Sequence, residues 1–134
     1  MKTFHPIARI AALCLSLVGP ASAGELAGSE WRPVKIGEET LADVKPFVRF
    51  GEDGRISGNG GCNGFGGDYT LAGGTIEISQ LTMTMMACAG ETVMDHERLF
   101  LRALEEAAHF ERDGTRLVLS DDGGEPLAEF IERH

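Results

Sequence analysis

The chain reads Ile56-Ser57-Gly58-Asn59-Gly60-Gly61-Cys62-Asn63-Gly64-Phe65-Gly66-Gly67-Asp68-Tyr69 and later Leu81-Thr82-Met83-Thr84-Met85-Met86-Ala87-Cys88. These two stretches contain two of the three cysteines of the 134-residue protein. Glycine at the density of the first stretch is typical of backbone with positive φ angles, or of backbone packed too closely for a Cβ. The glycines therefore predict a bulged, turning segment that delivers Cys62 to a partner.

A phosphate-binding loop is the alternative explanation for the glycines. The stretch departs from G-x-G-x-x-G at its third glycine, no Gly-Lys-Ser/Thr follows, and no long helix is predicted to start here. Asn63 fits a turning segment, because its side chain can bond nearby backbone and it tolerates left-handed conformations. Phe65 and Tyr69 are then expected in the core.

The first 23 residues have the pattern of a cleaved secretory signal. Lys2 and Arg9 precede the apolar run 10–18, and Ala21-Ser22-Ala23 is a small-x-small cleavage site. The run is too short to span a bilayer, so we expect no stable membrane anchor. The sequence predicts a periplasmic or secreted protein, cleaved near Ala23.

Residues 24–134 are predicted to form a single mature domain. The full chain has 12 Lys+Arg and 21 Asp+Glu, and loss of Lys2 and Arg9 would take the net charge from −9 to −11. Such a surface does not suit a nucleic-acid or anionic-lipid partner. The signal also carries away one cysteine, which leaves Cys62 and Cys88 as the only thiols in an oxidising compartment and predicts one disulfide.

Short apolar runs alternate with tight turn signals, of which Asp53-Gly54 and Gly73-Gly74 are the clearest. Closure of such a set removes exposed strand edges, so a closed or nearly closed antiparallel sheet is expected. The predicted strands are Glu30 to Ile36, Phe47 to Phe50, Arg55 to Asn59, Tyr69 to Leu71, Thr75 to Ile78, Leu81 to Met86, His109 to Arg112, Arg116 to Ser120 and Pro126 to Ile131.

One amphipathic helix is predicted from Val93 to Ala108, where apolar residues recur every three or four positions. Thr92 is the expected N-cap, with Asp95 in a weaker version of the capping box. The residues assigned to the opposite, solvent-facing side are Glu97, Arg98, Arg102, Glu105 and Glu106.

The two cysteine stretches resemble the META domain family, which includes bacterial heat-shock proteins of the HslJ type. The family motifs are a GCN-x-F-x-G-x-Y loop and a T-x-M-A-C strand end. The matching positions here are Gly61, Cys62, Asn63, Phe65, Gly67, Tyr69, Thr84, Met86, Ala87 and Cys88. The resemblance covers about residues 26–131 and implies an α+β, mostly β fold: a small, partly open antiparallel β-barrel of about eight strands with one packed helix. It implies structural roles for the motif residues.

Methionines cluster near the second cysteine, at Met83, Met85, Met86 and Met94. In an exported protein, thioether ligands would suit Cu(I). A strand would place Met83 and Met85 on one face and Met86 on the other, and a disulfide would remove Cys88 as a ligand. Met83 and Met85 are thus the copper candidates, while the main expectation is no metal, no cofactor and methionines that fill the core.

No catalytic set of residues stands out, so the chain is not expected to be an enzyme. HExxH is absent, and the residues around Ser57 lack the G-x-S-x-G spacing. The paired carboxylates Glu38-Glu39, Glu105-Glu106 and Asp121-Asp122 are expected to be solvated surface charge.

Two binding functions are considered in addition to copper binding. The first is a monomeric envelope module that binds a protein partner or acts under stress, which predicts an exposed apolar patch or groove. The second is a carrier of a small apolar ligand inside the sheet, unless aromatic rings fill that interior. The rings considered for the lining are Phe47, Phe50, Phe65, Phe110 and Phe130.

Overall fold

A computed structural model of the protein describes residues 23–134. Apart from Ala23, the predicted signal segment lies outside this range. The described elements are α1 (Ala23–Leu26), β1 (Ser29–Ile36), β2 (Glu39–Thr40), β3 (Phe47–Phe50), β4 (Arg55–Asn59), β5 (Gly64–Ala72), β6 (Thr75–Met83), α2 (Glu91–Glu106), β7 (His109–Asp113), β8 (Arg116–Ser120) and β9 (Pro126–Glu132). In this part of the chain, no helix has both the length and the apolar character needed to cross a membrane.

The strands form one ring-like antiparallel sheet, which confirms the mostly β, α+β prediction. Neighbouring strands follow the order β2-β1-β3-β4-β5-β6-β7-β8-β9, and β9 also pairs with β1. On its other edge β1 pairs with β3 through Ser29–Trp31 and with the short β2 through Lys35 and Ile36. Eight strands therefore make the ring, and β2 extends one edge of it.

The ring is weakest between β6 and β7. The two strands share a single residue pair, Thr75 with His109, whereas the other neighbours pair over longer stretches. Helix α2, which connects β6 to β7 in the chain, packs against β1, β6, β8 and β9. The helix therefore contacts strands on both sides of the sparse β6–β7 pairing.

Aromatic rings occupy the core between α2 and the sheet. Trp31, Phe50, Phe100 and Phe130 are almost fully buried. The Phe100 ring on α2 lies 5.8 Å from the Phe65 ring and 6.1 Å from the Phe130 ring. Burial of one such side chain stabilises the fold by about 1.5–3 kcal/mol, so this contact fixes the helix on the sheet.

The prediction of separate strands at Thr75 to Ile78 and Leu81 to Met86 was wrong. One strand, β6, runs through both and ends at Met83. A β-bulge opposite Gly67, with Gln80 at a φ of 58°, keeps β6 paired with β5 across the gap between the two predicted strands. After Met83 the backbone leaves the sheet.

The predicted cap of the long helix was also wrong. Helix α2 begins at Glu91 with Gly90 as its N-cap, and no side chain caps it. Thr92 lies inside the first turn, and the Asp95 carboxylate instead pairs with Arg98 at 3.0 Å. The helix ends at Glu106, two residues before the predicted end.

Candidate functional site

The two cysteine stretches meet at one end of the ring. Cys62 and Cys88 form a disulfide with their Cα atoms 6.0 Å apart, which confirms the predicted pairing. Cys62 is buried, and Cys88 is partly exposed. The disulfide ties the loop between β4 and β5 to the irregular segment between β6 and α2.

The Asn63 side chain joins the same two segments through three hydrogen bonds and binds helix α2 through a fourth. Its Oδ1 accepts bonds from Thr84 Oγ1 at 2.8 Å and from the Met86 amide at 2.7 Å. Its Nδ2 donates to the Met86 carbonyl at 3.3 Å and to Glu97 Oε1 at 2.8 Å. All donor and acceptor capacity of this buried amide is therefore used, with three bonds to the segment that carries the methionines and one to helix α2.

Glu97 is a buried residue of the site, contrary to its predicted position on the helix. We expected it on the solvent side of the helix, but it is only 2% exposed. Its Oε2 accepts hydrogen bonds from the backbone amides of Cys62 at 3.0 Å and Asn63 at 2.6 Å. Together with the Asn63 side chain, three N–H donors surround one carboxylate, an arrangement that compensates its burial.

These contacts also explain the glycine-rich loop. A Cβ on Gly60 would lie 2.6 Å from Glu97 Cγ, so only glycine allows the carboxylate to approach the loop. The loop amides that might serve a phosphate point at protein oxygens instead, because Gly61 N donates to Asn59 Oδ1 and the next two amides donate to Glu97. The turning-segment interpretation thus fits the geometry better than a phosphate cradle.

The remaining motif residues divide between core and surface. Phe65 and Tyr69 are buried, as predicted, and the Tyr69 hydroxyl donates to the Gly51 carbonyl at 2.6 Å. Burial, with smaller contributions from Asp53 and Glu52, raises the pKa of Tyr69 above its ordinary value of 10.0. Ala87, in contrast, is exposed.

Three methionine side chains project from the anchored segment, and we call Met83, Met85 and Met86 the methionine surface. Their exposed fractions are 38%, 89% and 55%, so the expectation that they fill the core was wrong. Met85 and Met86 lie beyond the end of β6, so the predicted alternation of strand faces does not apply to them. Because Cys88 is in a disulfide, it has no thiolate with which to bind a metal.

A groove of about 390 Å³ runs between α2 and β6 beside the methionine surface. Its apolar lining consists of Phe65, Leu81, Met83, Met94 and Leu101. Arg98 and Arg102 lie along its helix side. Of the aromatic residues considered for an internal ligand site, Phe50, Phe65, Phe110 and Phe130 belong to the packed core, and Phe47 is partly exposed.

Within residues 25–134, no group of three or more histidine, cysteine or acidic side chains is arranged to hold a metal ion. His96 Nε2 lies 3.2 Å from Glu39 Oε1, and this contact links α2 to β2 at the surface. The copper candidates Met83 and Met85 are both exposed, but only Met83 lines the groove.

The family model of the META domain matches residues 24–133. The chain belongs to the META domain family. This membership confirms the resemblance seen in the two motifs, and the disulfide and the Asn63 bonds account for five of the ten motif positions. No curated protein matches the chain significantly.

Three solved structures share the fold. An NMR structure is 24% identical, with a TM-score of 0.66 over 83% of this chain and 95% of that one. An NMR structure of a protein from Burkholderia xenovorans is 20% identical, with a TM-score of 0.64 over 98% and 99% of the two chains. A crystal structure of a DUF4847 family protein from Bacteroides vulgatus ATCC 8482 is 17% identical, with a TM-score of 0.59 over 81% and 95%. These likenesses concern the fold alone.

Proposed function

We propose that this META domain protein is an exported, non-enzymatic, monomeric module that binds a protein partner of the cell envelope through its methionine surface. The observation that carries the proposal is the exposure of Met83, Met85 and Met86 on a segment held by a disulfide and by the Asn63 side chain. Soluble proteins seldom group large apolar side chains on their surface without a binding role.

The anchoring of this segment favours binding because it reduces the entropy lost on association. The disulfide fixes Cys88, and the Asn63 amide bonds both the N–H and the C=O of Met86. The backbone is therefore pre-organised, while the flexible thioether side chains can adapt to a partner. The combination suits a surface that must recognise a protein without rearranging its own chain.

The charge and the disulfide support the proposed location and state. A net charge of −9 for the full chain keeps copies of the protein apart. A disulfide between Cys62 and Cys88 persists in an oxidising compartment, in agreement with the signal-like first 23 residues. The disulfide and the signal-like segment fit a periplasmic or secreted protein. A role under envelope stress is the physiological setting we propose.

Site-specific crosslinking in the native host tests this function. A photoreactive amino acid replaces Met85 in one variant and Asp122, which is exposed in the turn between β8 and β9, in a control variant. We expect a discrete crosslinked protein from position 85 that is absent from position 122. Equal crosslinking at the two positions, or none at position 85, would contradict the proposal.

The second candidate is a carrier of a small apolar ligand, and the groove beside α2 is the observation that favours it. Aromatic side chains fill the core, so a carried ligand would have to lie in the groove. Native mass spectrometry of protein purified from its host should then reveal an added apolar mass. Protein of unmodified mass would leave the carrier hypothesis without support.

Copper binding is a third, weaker candidate that rests on the exposed thioethers of Met83 and Met85. It requires that Cu(I) raise the melting temperature, that a chelator reverse the rise, and that the Met83→Leu/Met85→Leu double variant show neither effect. A double variant that responds like the parent would exclude these two residues as ligands.

A further inference from the structure

The outer edge of β6 is an unpaired strand edge along one wall of the groove. Within residues 23–134, β6 pairs with β7 only at Thr75, and no strand lies beside the remainder of that edge. The amide of Ile76 donates to the Ala108 carbonyl, and this is the last backbone bond that the outer edge makes to the α2–β7 connection. From there to Met83 the edge faces α2 and the groove.

The alternation of a strand identifies which backbone groups point into the groove. The Thr84 amide donates to Gly64 in β5 at 3.0 Å, so it points towards β5. Since N–H and C=O groups of successive residues point to opposite edges of a strand, those of Met83 point away from β5, whereas the bulge at Gln80 and Leu81 interrupts this alternation. Met83 therefore offers one donor and one acceptor to an added strand, at the end of β6 that borders the groove.

This edge lacks two of the usual protections against strand addition, charged residues and proline, although a bulge and helix α2 limit the part that is open. Proteins commonly protect an exposed edge with lysine, proline or an inward charge. The segment from Ser79 to Met83 contains no charged residue and no proline. Its bulge at Gln80 and Leu81 lies at the start of the groove, and no strand of residues 23–134 lies beside the outer edge of Met83.

The side chains around the edge indicate the chemistry of the occupant. Phe65, Leu81, Met94 and Leu101 form an apolar wall and floor. Arg98 is paired with Asp95 at 3.0 Å, whereas Arg102, which lines the groove together with Glu105, forms no ion pair with the carboxylates of the described residues. An apolar ligand alone would use the floor but would leave the backbone groups of β6 and the Arg102 guanidinium without partners.

We propose that the groove binds an extended segment of a partner protein, which adds as a strand to the outer edge of β6. Alternate apolar side chains of that segment would enter the groove, and a carboxylate at one end would pair with Arg102. This inference rests on the proposed function, since it specifies how the partner is recognised. Backbone hydrogen bonds would supply affinity, and the apolar positions would supply specificity.

The test uses the full-length exported protein and the fluorescein-labelled peptide Thr-Val-Thr-Val-Thr-Val-Asp, followed by fluorescence anisotropy. We expect saturable binding below about 1 mM. Two isomers of the peptide carry N-methyl groups on alternate residues, either on all valines or on all threonines. Only one set of N–H groups can face β6, so one isomer should bind at least about tenfold more weakly and the other should bind like the parent.

Protein variants locate the site independently of the peptide chemistry. Met83→Pro removes an outward N–H and should weaken binding about tenfold or more, while Met83→Ala keeps that N–H and should weaken it less. Arg102→Glu should weaken binding of the acidic peptide more than binding of its Asp-to-Asn form. Lys35→Glu makes the same charge change on β1, away from the groove, and should affect both peptides equally.

Three results would overturn the proposal of strand addition. Absence of binding, equal binding of the two N-methylated isomers, or equal effects of Met83→Pro and Met83→Ala would each do so. A dimer that the peptide dissociates would assign the edge to a second copy of the chain. If any of these occurs while position 85 still yields a specific crosslink, the proposed protein-binding function stands and only this mode of recognition is wrong.

Discussion

Asn63 donates a hydrogen bond from Nδ2 to Glu97 Oε1 across 2.8 Å, and this contact joins the cysteine loop to the middle of α2. On its other side the same Asn63 side chain binds Thr84 and Met86. One buried amide thus connects the loop, the helix and the segment that exposes the methionines. The position of the proposed binding surface therefore depends on a polar network inside the fold.

Asn63→Asp should destabilise the protein strongly at neutral pH. The substitution replaces the donor that faces Glu97 with an acidic oxygen and places two carboxyl groups at hydrogen-bond distance. Since removal of one buried partner leaves the other unpaired, we expect a loss of about 3 kcal/mol or more in the free energy of unfolding, measured in urea.

Asn59→Asp is the matched control for that variant. Asn59 Oδ1 accepts a hydrogen bond from Gly61 N at 2.7 Å, and an aspartate preserves this acceptor. We expect a change of less than about 1 kcal/mol. Equal losses in the two variants would mean that the amide donor of Asn63 has no special role.

Glu97→Gln tests the contribution of the Glu97 carboxylate, which is the helix partner of Asn63, to stability. An amide has only one oxygen, whereas Glu97 accepts bonds at both of its oxygens. A buried N–H donor of the loop would lose its acceptor, so we expect a loss of about 1–3 kcal/mol in urea denaturation. Glu106→Gln, on the exposed last turn of the same helix, should have little effect. A Glu97→Gln protein as stable as the parent would contradict this account.

Most of the strand pattern was predictable because most strands have a local signal, but the short β2 was missed and β5 begins at Gly64 rather than at the predicted Tyr69. The helix position was predictable to within two residues at each end. The motifs and the cysteine count together predicted the Cys62–Cys88 pairing. Local signals could not establish that one strand continues from Thr75 through Met83, because the bulge at Gln80 depends on the partner strand β5. A bulge interrupts the alternating pattern of side chains although the hydrogen-bonded ladder continues.

The misplacement of Glu97 has a different origin, because a signal was present in the sequence. The spacing Val93, Glu97, Phe100 and Leu104 follows the helical period and puts Glu97 within the apolar stripe. We assigned Glu97 to the solvent side by its charge rather than by its position. Its partners could not have been predicted, since they are backbone amides of a loop more than 30 residues away in the chain.

Gly67→Ala should destabilise the sheet, because the bulge of β6 needs glycine at this position of β5. A Cβ there would lie 2.7 Å from the Ser79 carbonyl oxygen and 3.2 Å from that of Gln80, both of them backbone atoms that cannot easily move. We expect a loss of about 2 kcal/mol, seen as a lower melting temperature.

Gly66→Ala is the neighbouring control for the bulge. Its added Cβ would lie 3.6 Å from the Ile56 carbonyl oxygen, an ordinary contact distance. We expect at most a small change in melting temperature, since alanine also restricts the unfolded chain. If both variants melt at the parent temperature, the close approach at Gly67 does not constrain the fold.

Removal of the disulfide should lower stability without abolishing the fold. The bond between Cys62 and Cys88 closes a loop of about 27 residues, for which the chain-entropy model gives about 3.5 kcal/mol. The Cys62→Ser/Cys88→Ser double variant should therefore unfold at lower urea, and addition of a reductant should shift the parent but leave the variant unchanged. A parent insensitive to reductant under denaturing conditions would show that the bond does not form.

Ionisation of Tyr69 should lower the stability of the protein at alkaline pH. Burial, reinforced by Asp53 and Glu52, raises the pKa of Tyr69 above 10.0 in the folded state, so the folded protein retains the phenolic proton where the unfolded chain releases it. The associated stability is fully present below pH 10 and is lost as the pH rises through the folded pKa.

Because Tyr69 is the single tyrosine of the chain, its ionisation can be followed directly by ultraviolet absorbance. The folded protein should titrate at higher pH than the protein in urea. Tyr69→Phe, which also loses the bond to the Gly51 carbonyl, should be less stable at neutral pH by about 1 kcal/mol and should lack this component of the alkaline decline. Coincident titration curves for the folded and unfolded protein would show that the hydroxyl is not held in the buried contact.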